Sequence, residues 1–183
     1  MTSSAPPTRT VAIEPLDAAR FEPYGWKLGK PVQAGGATPA FVSPASDFWR
    51  EHLFETGAGG EPEVLWVVYR NRERRVSSLE LHRVTQQAIV PLTGPVVHLV
   101  ARSDASGAPD LATLRAFALP VGEGICMRPG IWHATRVSER EATCLMLTRA
   151  STTLDLVAHL TQGAPAVESE LRGIEAVWVG EPA

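Results

Sequence analysis

The sequence predicts an all-β protein, a barrel or sandwich of short strands in a single domain, and three observations lead there. From residue 64 onward, "VLWVVYR", "VSSLELHR", "QAIVPL", "PVVHLVAR", "LRAFAL", "GICMR" and "TCLMLTR" are short apolar or alternating runs, most of them separated by Gly, Pro, Asn or Asp. No long segment of helical period stands between them, which argues against a parallel α/β sheet. The run "LELHR" carries Glu80 and His82 on one phase and Leu79 and Leu81 on the other, so polar side chains stand where a strand interior is expected.

In chain order, residues 1 to 9 are small, polar and Pro-rich and read as a loose tail, with residues 10 to 183 as the domain. "VAIEPLDAARFEPYGW" reads as a short strand and a brief helix, with Asp17 as N-cap and Pro23 and Gly25 as the stop. Lys30 to Ala45 reads as loop. "ASDFWREHLFE" fits a helical turn or an edge strand equally, and "GAGGEP" breaks the chain before the regular strands begin. Arg70, Arg72, Arg74 and Arg75 surround Asn71 in what reads as a solvated hairpin turn. Thr152 to Leu160 is the later helix, capped by Ser151 or Thr152 and followed by Gly163, and "EAVWV" then adds an edge strand.

Composition excludes several functions. The 183 residues are 44% hydrophobic, enough for a real core. Seventeen basic against twenty acidic residues leave no positive excess for phosphates, so nucleic acid is not an expected partner. No apolar run approaches the roughly 20 residues of a membrane span. The start, "MTSSAPPTRT", lacks the apolar core of a signal peptide, and the expectation is a cytoplasmic protein. Cys126 and Cys144 form no CxxC pair and read as reduced thiols; Cys126 could face a pocket but has no evident activating partner.

The chemistry gathers at two places. Alternation over residues 76 to 83 puts Val76, Ser78, Glu80 and His82 on one face, and the next strand continues it with Gln87, Ile89 and Pro91. In a small barrel Glu80, His82 and Gln87 then converge inside, where a carboxylate and an imidazole are costly unless paired, hydrated or metal-bound. The second place is "GEGICMRPGIWHATR", where Gly122, Gly124, Pro129 and Gly130 turn the chain tightly before Trp132 and His133. His98, out of phase with Val97 and Leu99, reads as a surface or interface residue. Arg115 is an alternative ion-pair partner for Glu80.

These spacings resemble the two cupin motifs. Glu80-x-His82, four residues, Gln87, six residues and Gly94 follow the end of the first motif; Gly122, five residues, Arg128-x-Gly130, two residues and His133 follow the second, with Arg128 replacing the usual Pro. Within the cupins, "LELHRVTQQAIVPLTG", "LATLRAFALPVGEGI", "PGIWHATR" and "EPLDAARFEPYG" are similar to the ureidoglycolate lyase (ureidoglycolate hydrolase) family, and the similarity covers most of residues 13 to 149. That family's second motif typically reads Tyr-His-Arg-Gly-Val-Trp-His-His-Pro, whereas residues 127 to 135 here read Met-Arg-Pro-Gly-Ile-Trp-His-Ala-Thr.

The resemblance implies a cupin double-stranded β-helix, a jelly-roll barrel with a short N-terminal helix and a C-terminal helix. It implies cleavage of (S)-ureidoglycolate to glyoxylate and urea by a homodimer acting on a small carboxylate. His82 and His133 would serve as base and acid, with Glu80 supporting one of them. Glu80, His82 and His133 would instead hold a divalent metal ion, if one is bound. Gln87, Arg128 and Trp132 fall on the substrate side: Gln87 as an orienting amide, Arg128 as a bidentate carboxylate clamp, Trp132 at the rim or as packing. The altered second motif leaves the substrate open, and two rivals share the triad: an Fe(II) oxygenase or isomerase, and a non-catalytic cupin that binds a small carboxylate.

Overall fold

The structure, a computed structural model, describes residues 9–32 and 40–182. The expected tail therefore lies, but for Arg9, outside the described residues, as do residues 33 to 39 of the expected loop. The first strands are β1 (Thr10–Pro15), β2 (Gly25–Leu28), β3 (Ala40–Val42), β4 (Asp47–Trp49), β5 (Pro62–Tyr69), β6 (Arg75–His82) and β7 (Gln87–Pro91). There follow β8 (Val96–Ala101), β9 (Arg115–Leu119), β10 (Gly124–Met127), β11 (Trp132–Val137), β12 (Ala142–Arg149) and β13 (Ser169–Pro182). Helix α1 (Ala18–Phe21) separates β1 from β2, and α2 (Ala150–Gln162) separates β12 from β13.

The antiparallel pairings nest: β8 with β9, β7 with β10, β6 with β11, and β5 with β12. They describe one long ribbon, folded at the β8–β9 hairpin and coiled, which is the double-stranded β-helix of a cupin jelly roll. Coiling deals the strands to two sheets, one containing β9-β8-β11-β6 and the other ordered β2-β10-β7-β12-β5. Strands β3 and β4 form a separate hairpin, so "ASDFWREHLFE" contributes a strand rather than a helical turn.

The terminal strands then change the first sheet. β1 runs parallel to β9 and β13, β13 runs antiparallel to β6, and the six strands close into a barrel. The expected edge strand "EAVWV" is thus part of a strand paired on both sides. Closure buries both faces of the sheet. Cross-strand partners Leu81, Trp132 and Ala101 point into the closed barrel with Leu79, Leu99 and Val179. Val96, Val100, Phe117 and Leu119 point the other way, onto Ile89, Ile125 and Met146 of the second sheet. Val76 joins the first group, not the face of Glu80, because the register against β13 shifts between Gly173 and Val177 and the phase of β6 changes there.

Local signals place the helices. Asp17 caps α1, its carboxylate accepting from Arg20 N at 2.9 Å. Gly163 closes α2 in the left-handed conformation, φ 69°. The N-cap of α2 is Arg149, which makes no side-chain cap bond; the expected caps Ser151 and Thr152 instead donate to Glu168. Among the described residues, no helix is long and apolar enough to cross a membrane.

Candidate active site

Register builds the site. His133 on β11 stands opposite Glu80 on β6, so both side chains leave the same face of the first sheet. His82 follows Glu80 by one strand period. The chain then turns at once into β7, which begins with Gln87 in the second sheet. A second turn holds His133: Gly130 adopts φ 79°, natural to glycine, and its N–H donates to the His82 carbonyl at 2.8 Å. The four residues that the two motifs single out therefore meet between the sheets.

Hydrogen bonds fix the ring tautomers. The Ile131 carbonyl can only accept, so His133 carries its proton on Nδ1, 3.0 Å away, and its Nε2 lone pair is free. Gln87 Nε2 donates to His82 Nε2 at 2.9 Å, which puts the His82 proton on Nδ1, facing Ser169 Oγ at 3.1 Å. The ring centroids of His82 and His133 are 5.2 Å apart. Glu80 Oε1 lies 3.6 Å from His82 Nε2, too far for a hydrogen bond, and has no partner although buried. Ligand atoms of Glu80, His82 and His133 all lie within 4.8 Å of one another, a set that can hold a metal ion.

Burial, reinforced by the neighbouring His133 ring, pushes the His82 pKa down to about 3, so this imidazole is neutral at pH 7. Behind the pair stands His98, which sequence phase placed at the surface. It is 1% exposed, because the sheet is covered on both faces and neither phase of β8 reaches water. Its ring stacks on His133 with centroids 5.6 Å apart, its Nδ1 meets Thr135 Oγ1 at 3.0 Å, and burial holds its pKa well below the usual value.

These residues border a cavity of about 270 Å³. Glu80, His82, Gln87, His133 and Thr135 line one side; Leu65, Val67, Tyr69, Met146 and Thr148 line the other, with α2 across it. Burial raises the Tyr69 pKa, so the phenol stays protonated. Thr148 Oγ1 is buried without a partner. No Lys or Arg is among the described lining residues.

The other candidates lie outside this cavity. Arg128 is not in its lining but borders a small adjoining cleft with His82, Gln87 and His133; its guanidinium donates to the Glu22 carbonyl and carboxylate and lies 4.4 Å from the Trp26 ring centroid. Trp132, fully buried, faces the closed barrel and donates to Ser103 Oγ at 3.1 Å. Arg115 pairs with Glu14 rather than Glu80. Cys126 faces away from the cavity toward Gln86, and burial raises its thiol pKa to about 12. Sequence reasoning missed Thr148, Tyr69 and the α2 residues. Thr148 had a signal, since it shares the buried phase of β12 with Cys144 and Met146; Ser169 had none.

Comparison with known proteins agrees with the motifs. Residues 8–168 match the family model described as ureidoglycolate lyase. A protein of Burkholderia mallei named ureidoglycolate lyase is 30% identical over 133 residues, 68% of this chain and 73% of that protein. One of Brucella anthropi with the same name is 26% identical over 147 residues, covering 77% and 83%. Among solved structures, the 4-keto-6-deoxy sugar epimerase NovW of Streptomyces spheroides is 13% identical, with a TM-score of 0.42 over 80% of this chain and 71% of that one.

Proposed function

The chain belongs to the ureidoglycolate lyase family, and on that premise we propose that the Glu80/His82/His133 cavity cleaves a ureidoglycolate-type 2-hydroxy acid to glyoxylate and urea. The observation that carries the reading is the convergence of two imidazoles and one carboxylate with an unpartnered oxygen, within 4.8 Å, in a cavity with no Lys or Arg among its described lining residues. Among the described lining residues a carboxylate substrate meets no Lys or Arg to balance it; Arg128 stands in the adjoining cleft and is engaged by Glu22. Both imidazoles are fixed through Nδ1 by outer partners, the arrangement that suits metal-ligating histidines; Nε2 of His133 is free, and that of His82 accepts from the Gln87 amide, which a metal ion would displace. Glu80, His82 and His133 would hold a divalent metal ion, which would supply positive charge for the substrate carboxylate and lower the pKa of its hydroxyl.

The elimination needs a proton removed from the hydroxyl and one delivered to the departing nitrogen. Of the two imidazoles His82 suits the base rather than the acid, because burial lowers its pKa and favours the neutral ring. Glu80 is placed to move the proton: Oε1 has no competing partner, and hydroxyl and nitrogen are bonded to the same carbon, so one carboxylate oxygen can take the proton and return it. The Gln87 amide, which occupies His82 Nε2 in this structure, orients the substrate carboxylate once that lone pair is engaged. Leu65, Val67 and Met146 exclude water from the opposite side. The oxygenase, isomerase and simple binding readings use the same triad, and family membership favours the lyase over each of them.

The test is metal analysis of protein purified without chelator, followed by a glyoxylate-release assay before and after chelation and metal return. Metal near one equivalent, with turnover lost and regained, supports the reading; oxygen uptake without glyoxylate release rejects it. A homodimer is part of the proposal. It is supported by the outer face of β5, where Val64, Trp66 and Val68 are exposed on a strand at the edge of its sheet.

A further inference from the structure

The cavity's two sides differ in chemistry. Glu80, His82, His133 and Gln87 cluster on one side, while Leu65 and Val67 of β5, Met146 of β12, and Leu156, Val157 and Leu160 of α2 supply most of the apolar lining. Val157 and Leu160 are 49% and 64% exposed, so the apolar surface continues from the interior to the mouth. A ureido group would direct its terminal NH₂ away from the reacting carbon and toward this apolar surface. There the side chains of Leu156, Val157 and Leu160 offer it no acceptor; the hydroxyls in the lining are those of Tyr69, Thr135, Thr148, Thr152 and Thr153. An N–H buried without a partner weakens binding, whereas an alkyl group in the same place gains from burial. Thr148 Oγ1, buried and unpartnered, suits a carbonyl oxygen, which both kinds of substrate possess.

We infer that the preferred substrates are N-acyl-2-hydroxyglycines with a short aliphatic acyl chain, cleaved to glyoxylate and a primary amide. The inference rests on the lyase reading and specifies what replaces the ureido NH₂. Atoms balance as before: the hydroxyl loses its proton, the oxygen's electron pair forms the aldehyde C=O, the C–N bond breaks, and the nitrogen takes the pair and a proton. Nothing is oxidised or reduced.

The test uses the metal-replete protein and two readouts. For binding, calorimetry compares N-carbamoylglycine with N-acetyl-, N-propanoyl- and N-butanoylglycine, none of which can be cleaved because each lacks the hydroxyl. Affinity should rise by up to about fourfold per added methylene, the value of burying one such group. For turnover, glyoxylate release is followed with ureidoglycolate and the corresponding N-acyl-2-hydroxyglycines, and kcat/KM should rise along the acyl series and exceed that for ureidoglycolate at least tenfold at butanoyl. Leu156→Asn should compress that ratio toward one. Cleavage of ureidoglycolate with acyl compounds cleaved more slowly and bound no better overturns the inference and leaves the lyase reading standing. If no compound is cleaved, the lyase reading falls and the inference with it.

Discussion

Glu80 and His133 are directly paired across β6 and β11, and the pairing sets a carboxylate beside an imidazole whose Nε2 is free. Neither geometry depends on a flexible loop, so the site is preorganised by backbone hydrogen bonds. Glu80→Gln keeps the shape and removes the charge. Turnover should fall about 10²- to 10⁴-fold, the usual worth of a positioned proton-transfer group, and bound metal should be lost. Circular dichroism should be unchanged, since Oε1 has no partner to lose. A Glu80→Gln protein with wild-type metal content and turnover would remove Glu80 from the mechanism.

The buried histidines make metal-free stability depend on pH. His82 has its folded pKa pushed down to about 3 from the usual 6.5, and His98 is likewise lowered, both by burial. Between those values the unfolded chain binds protons that the folded chain refuses, so stability is intact above about pH 6.5 and falls as pH drops below it. Each group contributes up to about 1.4 kcal/mol per pH unit. Urea denaturation of chelated protein at pH 7 and pH 5 should show the loss, and His98→Gln should make the slope shallower. Equal stability at the two pH values would mean that these rings are protonated in the fold.

Much of this was legible in the sequence, and what was not has physical causes. Glu80, His82 and His133 were found because a polar residue on a buried strand phase is costly and their spacing is regular. The same logic failed at His98, since it assumed that one phase of β8 meets water; only closure by β1 and β13 buries both. Strand β11, "WHATRV", showed no apolar alternation, because one of its phases carries His133 and Thr135 toward the cavity side. Strand β3 lay inside the expected loop from Lys30 to Ala45 and β2 just before it, and their pairing comes from β4 and β10 rather than from their own composition. The phase change in β6 depends on its distant partner β13.

Trp132 separates packing from binding. Its ring fills the closed barrel, on the opposite face of β11 from His133, and its indole N–H is used by Ser103. Trp132→Phe should cost about 1 kcal/mol for the lost hydrogen bond and leave KM unchanged. Trp132→Ala should cost about 3–5 kcal/mol through the cavity it opens. Thermal melts and steady-state kinetics read the two effects separately. A tenfold rise in KM for Trp132→Phe, with its melting temperature intact, would return the ring to the substrate side.

Arg128 is the sharpest test of how a carboxylate is held here. Its position in the second motif suits a bidentate clamp, and such a contact would contribute roughly 1.5–3 kcal/mol, or about ten- to hundredfold in affinity. In this structure the guanidinium donates to both the carbonyl and the carboxylate of Glu22 and stacks on Trp26. Two of its five N–H donors and one face are thus engaged, and turning the fork toward the cavity would weaken these contacts, so the gain from a substrate carboxylate is offset by what is lost. Arg128→Ala should therefore change the affinity for carboxylate substrates less than about threefold, while removal of Glu80, His82 or His133 abolishes it with the metal. Arg128→Lys should behave the same way, since Lys reproduces the charge but not the fork. Loss of affinity of tenfold or more in Arg128→Ala, for carboxylates but not for the corresponding esters, would show that the arginine leaves Glu22 for the substrate and that the cavity's charge balance is completed from its rim.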